Sequence, residues 1–270
     1  MRFEQVRDQI AGVPFTTPEN GKVLYDFILN SKVNNCLELG FAHGVGCCYM
    51  AAAFHELGRG EVVCVDRHSA KDRSPNVDTL LAKTGLAKHA RPVYCEHSYT
   101  WTLLEMIEAN TSGGGCTPIF DFVFIDGAHL FEPDALAFFL SDKLLKPGGW
   151  LLFDDLYWTL HASEFQGEAW VKNLSKAERE SPHIEKVFNV IVRQHPSYTD
   201  FRIVDQWGWC RKKGGEGGTA ALDLAGAKET PKVWLKRKLR PYYRRLFHKP
   251  ALNTAQQEFE RKAQREVDGE

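Results

Sequence analysis

The 270-residue sequence has no apolar run approaching eighteen residues, and its first segment, MRFEQVRDQIAG, has no apolar core. Neither a membrane-spanning helix nor a secretory leader is therefore expected. No C-x-x-C occurs among the seven cysteines (36, 47, 48, 64, 95, 116 and 210), which removes the zinc ribbon and the thioredoxin-like redox site. Several of them lie in apolar runs (CLELG, VVCVD), where a free cysteine behaves as a small hydrophobe. A reduced, intracellular, cytoplasmic protein is expected. There is no internal repeat, and the net charge is only −1. A hydrophobic fraction of 43% with 26% charged residues is ordinary globular composition and excludes a disordered or collagen-like chain.

The small net charge conceals an asymmetry. Residues 232–249 hold eight Lys or Arg and no acid, so the remainder of the chain stands at −9. The body thus offers no global case for nucleic-acid binding, and any anionic partner must be local to that segment. There the cations alternate with Trp234, Leu239, Tyr242, Tyr243 and Phe247, and Pro241 divides the stretch into two short amphipathic pieces. Such a segment suits peripheral contact with an anionic membrane. A helix docking on the folded domain, or on a second copy in a homo-oligomer, is the other reading.

Short apolar runs alternate with helical patterns from residue 34 onward. Strands are predicted at 34–39, 61–66, 91–96, 120–126 and 150–155, with crossover helices at 45–57, 76–88, 99–109 and 132–145. The runs are nearly continuous in apolar character, as in parallel strands covered on both faces, so the rhythm predicts a doubly wound α/β sheet. PENGKVLYDFILNSK predicts a leading helix, residues 163–194 read as helical with a Ser-Pro break at 181–182, and FRIVDQWGWCRKK supplies one or two late strands. The expected organisation is a lead-in over 1–33, a domain over 34–213, a glycine-rich linker over 214–231, and a basic helical C-terminal extension over 232–270.

The first strand-to-helix turn, CLELGFAHGVGCCYM, carries Glu38, Gly40, Gly44 and Gly46. Glycines there allow a tight turn and close approach of a ligand to backbone N–H groups. Asp66 ends the second strand, where an acid commonly accepts hydrogen bonds from ribose hydroxyls. The same glycine pattern opens short-chain dehydrogenases, but no tyrosine here is followed by lysine at the fourth position, as their proton transfer needs. Glu38 is also poorly placed beside a pyrophosphate and better suited to a cationic or hydroxyl-bearing ligand. Packing of helix on strand is the other account of the glycines.

A second constellation lies at later strand ends. FDFVFIDGAH places Asp126 at one end with His129 three residues on, and LKPGGWLLFDD ends the next strand with Asp154 and Asp155. Ligands of open α/β sheets bind beyond the carboxyl ends of strands, so both groups fall on the cofactor side. Three carboxylates there need protons, basic groups or a cation to offset their repulsion, and hard oxygen donors suit Mg²⁺. Taken singly, Asp126 has a structural reading in the turn, Asp155 as a helix cap and His129 as a helix N-terminal residue. Trp158 and His161 follow closely enough to line a pocket, and His43 sits inside the glycine-rich turn.

Glu38-Leu-Gly40 with Gly44 and Gly46, followed by Asp66, resembles the first two motifs of class I S-adenosylmethionine-dependent methyltransferases. I-D-G-A-H paired with L-L-F-D-D is similar to the metal-dependent O-methyltransferases, such as the catechol and caffeoyl-CoA enzymes. With K-P-G-G it looks closer still to the group containing macrocin O-methyltransferase and cephalosporin hydroxylase-like proteins. The resemblance implies a Rossmann-like, mostly parallel seven-stranded sheet, S-adenosylmethionine as cofactor, and Mg²⁺ on Asp126, Asp154 and Asp155. It implies methionine binding under the glycine-rich turn, ribose on Asp66, adenine near Ser98, and His129 standing where the catechol enzyme has its general-base lysine. The implied acceptor is a hydroxyl of a small molecule or glycan. A catalytically silent binding module of the same fold, at a membrane surface, is the alternative.

Overall fold

The computed structural model describes residues 1–214, so the linker and basic extension expected from the sequence lie outside the described residues. The chain opens with α1 (Phe3–Gln9) and α2 (Pro18–Asn30). Thr17 starts α2 by accepting the Asn20 N–H on its side chain, with Pro18 at the first helical position. There follow β1 (Asn35–Leu39), α3 (Val45–Leu57), β2 (Glu61–Arg67), α4 (Val77–Thr84), β3 (Ala90–Cys95) and α5 (Tyr99–Ala109). After a small hairpin come β4 (Phe120–Ile125), α6 (Phe131–Leu144), β5 (Leu145–Phe153), β6 (Tyr198–Val204) and β7 (Trp207–Lys212).

The main sheet has seven strands in the order β3-β2-β1-β4-β5-β7-β6. Pairings among the first five are parallel, and β7 inserts antiparallel between β5 and β6. Strand order reverses at β1, with β2 on one side and β4 on the other. That is the switch point at which open α/β sheets bind their ligands. Period-two alternation sends Phe122, Phe124, Leu152 and Trp209 into the core shared with α1–α4. Val123, Ile125, Leu151 and Phe153 enter the core shared with α5 and α6. Both faces are therefore dry, which is why the strand sequences run apolar without interruption.

Three elements depart from the sequence reading. KPGG does not precede the fifth strand but lies within it. Pairing passes from Phe120–Leu145 to Phe122–Trp150 across an irregularity, with Gly148 at φ +80°. Residues 163–194 do not form long helices. Ser163 and Ser175 accept backbone N–H groups that start new turns, and Pro182 starts another, so the segment breaks into short helices at Ala169–Lys172, Lys176–Glu180 and His183–Lys186. The last runs into a π-helical turn at Val187–Val192. Asp155 caps no helix; it takes a left-handed conformation at φ +49°. All seven cysteines are free thiols, and all but Cys116 are buried.

Candidate active site

Backbone hydrogen bonds draw the strand ends together. Gly40 N–H donates to Val65 O (2.8 Å), Asp126 N–H to Leu39 O (2.9 Å) and Asp154 N–H to Ile125 O (3.0 Å). Asp66, the glycine-rich turn, Asp126 and Asp154 thus stand side by side along the carboxyl edge of the sheet. The turn itself is held from below. Asp66 accepts the Ala42 N–H on Oδ2 and the Arg67 N–H on Oδ1, both at 2.7 Å. Ala42 is strained at φ +49°.

Two of the glycines owe their identity to neighbours. Gly40 has φ +89°, and a Cβ there would lie 2.0 Å from the Asp126 carbonyl oxygen, so the first turn presses directly on the end of β4. A Cβ at Gly46, in the first turn of α3, would lie 2.4 Å from Glu38 Oε1. The absence of that methyl makes room for the Glu38 carboxyl, which is only 2% exposed. Its Oε2 has no hydrogen-bond partner. Burial, then the charges of Asp126 and Asp66, push this carboxyl well above the usual carboxylate range. A buried acceptor without a donor is costly, so the site is shaped for a donor or a positive charge.

Glu38 also stands beside Cys64, its register partner on β2, and Cys47 in α3. These three alone among the described residues bring potential metal-ligand atoms within 4.8 Å of one another. The Cys47 and Cys64 sulfurs are 3.2 Å apart. Their mutual contact and burial push the Cys47 thiol up, and burial pushes Cys64 up, so both behave as the small apolar groups their sequence context suggests.

The acidic set is more open. His129, at φ +56°, has its Nε2 3.3 Å from Asp126 Oδ1 and 3.9 Å from Asp155 Oδ2. Its ring lies 5.4 Å from that of Trp158. Burial alone would lower the imidazole, but Asp126, Asp155 and Asp134 outweigh it and hold His129 up at about 9. Asp154 is raised well above the carboxylate range by burial and by Asp126 and Asp155. Its Oδ1 accepts hydrogen bonds from the Trp207 indole N–H and from the Asp155 N–H.

The structure thus gathers Glu38, Gly40, Gly46, Asp66, Asp126, His129, Asp154 and Asp155 along one edge, with Gly44 capping α3 at φ +91°. Ser98 caps α5, its Oγ accepting the Thr100 N–H. His43 donates Nδ1–H to the Pro75 carbonyl and stacks on Phe15 at 5.7 Å. His161 is exposed. Sequence reasoning missed Trp207, which reaches Asp154 from a strand some fifty residues later and carries no local signal for that contact. It also missed Tyr99 and Asp134, which join the loop after β4.

Residues 37–156 match the family model described as a methyltransferase domain. The chain is similar to an O-methyltransferase from Bacillus cereus solved with SAH, at 19% identity over 77% of this chain and 88% of that one, TM-score 0.52. It is similar to TomG from Streptomyces achromogenes, an O-methyltransferase involved in tomaymycin synthesis and solved with SAM, at 16% identity over 78% and 89%, TM-score 0.54. It is also similar to the MycE methyltransferase of the mycinamycin pathway, solved with Mg and SAH, at 16% identity over 81% and 56%, TM-score 0.50. No curated protein sequence matches it. Residues 37–156 are thus similar to a methyltransferase domain, and the chain has the fold of the O-methyltransferases named above.

Proposed function

We propose that this protein is an S-adenosylmethionine-dependent O-methyltransferase acting on a hydroxyl of a small molecule or sugar, assisted by Mg²⁺. The observation that carries the reading is the buried, unpartnered Glu38 Oε2 beneath the glycine-rich turn, beside an acidic edge on which His129 faces three carboxyl groups. The methionine ammonium of S-adenosylmethionine answers that acceptor, with Asp66 for the ribose hydroxyls and Ser98 toward the adenine. The cofactor, when bound, supplies an electrophilic methyl whose transfer forms an O–CH₃ bond and breaks the S–CH₃ bond.

Asp126, Asp154 and Asp155 would hold the Mg²⁺ as hard oxygen donors at neighbouring strand ends, once their oxygens, which are not gathered within 4.8 Å of one another, draw together; burial and the two neighbouring acids raise Asp154. A divalent cation there lowers the pKa of a coordinated hydroxyl. The chain's own contribution is to hold donor and acceptor in line and to take the acceptor proton on His129. The Trp158 ring, 5.4 Å from that of His129, would flank the base on one side.

The test is thermal unfolding with S-adenosylhomocysteine, in EDTA and again in Mg²⁺. Ligand at ~100 times its dissociation constant stabilises by about 2.7 kcal/mol, which moves the midpoint by several degrees. A nucleotide shift and a separate Mg²⁺ shift are expected, followed by transfer of a labelled methyl group to hydroxyl acceptors. Absence of the nucleotide shift would refute the cofactor, and full transfer in EDTA would refute the metal.

A further inference from the structure

Between β4 and α6 the chain makes a tight loop, Asp126–Leu130, whose backbone is held by two side chains from other elements. The Tyr99 hydroxyl, at the start of α5, accepts the Ala128 N–H at 3.1 Å and donates to Asp134 Oδ1. Asp134, in the first turn of α6, accepts the Leu130 N–H on Oδ2 at 3.1 Å. Both side chains are buried, and Asp134 is fully so. Gly127 completes the arrangement: a Cβ there would lie 2.5 Å from Tyr99 Oη and 2.7 Å from Asp134 Oδ1. The next N–H along, that of Phe131, donates to His183 Nδ1 at 3.1 Å.

The clamp grips the loop on both sides of His129. That residue sits in the left-handed region, which is unfavourable for a non-glycine residue and needs surrounding structure to impose it. We infer that Tyr99 and Asp134 are positioning residues that hold His129 at its place between Asp126 and Asp155. The inference rests on the proposed reading of His129 as the base for methyl transfer. Both hold the loop through the two N–H groups that flank His129, and Asp134 adds its charge to those that hold the imidazole up.

Tyr99→Phe removes one oxygen and keeps the ring, so it tests the clamp without emptying the core. Asp134→Ala is the harsher second variant. Two readouts separate the clamp from the function it serves. The first is the His129 ring resonance, set by the adjacent Trp158 indole, together with hydrogen exchange of the Ala128 and Leu130 amides. In Tyr99→Phe the ring signal should move and the Ala128 amide should exchange faster. The second is turnover: kcat should fall roughly ten- to a hundred-fold, as small misplacements of a catalytic group do, while S-adenosylhomocysteine affinity holds. An unmoved ring signal with wild-type kcat would overturn the proposal. If the wild-type protein methylates no acceptor, the proposed function fails, and the ring signal alone decides whether the clamp positions His129.

Discussion

Replacing Glu38 by glutamine should pull stability and ligand binding in opposite directions. In the ligand-free protein this carboxyl is almost wholly buried, one oxygen has no partner, and burial with Asp126 and Asp66 raises its pKa. An acid raised in the folded state holds its proton more tightly there than in the unfolded chain. Stability is therefore lost as pH climbs from the ordinary carboxylate value near ~4.3 toward the folded value. Glutamine is nearly isosteric and uncharged. It leaves a polar atom without a partner but should relieve the cost of ionising a buried acid beside two others, about 1–3 kcal/mol at pH 8, and raise the midpoint by roughly 2–4 °C for each kcal/mol. The same change removes a charge-assisted contact to a bound ammonium, worth about 1.5–3 kcal/mol, so S-adenosylhomocysteine should bind roughly ten- to a hundred-fold more weakly. Thermal unfolding from pH 4 to 8 without ligand, with calorimetric titration at pH 7.5, measures both. A variant that melts no higher than the wild type at pH 8 and binds the nucleotide equally well would refute the reasoning.

Gly40→Ala should cost about 2–5 kcal/mol in denaturant unfolding, because it adds left-handed strain and drives a methyl into the Asp126 carbonyl, a backbone atom that cannot yield cheaply. An effect below 1 kcal/mol would mean that the two loops are not pressed together. Trp207→Phe keeps a ring beside Phe124 and Trp209 but removes the N–H that Asp154 accepts. Mg²⁺ affinity should fall about tenfold, read by titration calorimetry, and an unchanged affinity would remove Asp154 from the metal set. His129 is a base whose folded pKa is raised to about 9, so its stabilisation is full below its unfolded value near ~6.5 and is lost as pH rises through 9. In EDTA the stability advantage of wild type over His129→Gln should therefore shrink between those values; a constant difference would contradict the pairing with Asp126.

Periodicity made the parallel half of the fold legible. Continuous apolar runs marked five strands, since each is covered on both faces, and α3 and α5 begin and end where their patterns do. The glycine-rich turn and the acidic strand ends were equally plain, because their roles are written in a few adjacent residues. What was not legible came from contacts between distant segments. Gly40 reads as a ligand-facing glycine, yet its nearest neighbour is the Asp126 carbonyl. Asp134 reads as one more acid in a helix's first turn, and only the fold brings it to Tyr99, 35 residues earlier. Residues 163–194 misled because polar helical composition says little where serine caps and a proline restart the chain every few residues.

The charge balance at the strand ends constrains the chemistry more than any motif does. His129, between Asp126 and Asp155, keeps its proton up to about pH 9 while both acids are bare, and in that state it cannot accept one from a substrate. The base role and the cation role are thus not separate assignments. Positive charge shared among the carboxylates withdraws the attraction that holds the imidazolium, and His129 then falls back toward the range where a neutral ring is available near pH 7. Activity limited by the base should consequently extend to lower pH as Mg²⁺ is raised. If the pH profile stays fixed while Mg²⁺ changes the rate, the proton goes to some other acceptor, and His129 serves as a countercharge for the acids beside it.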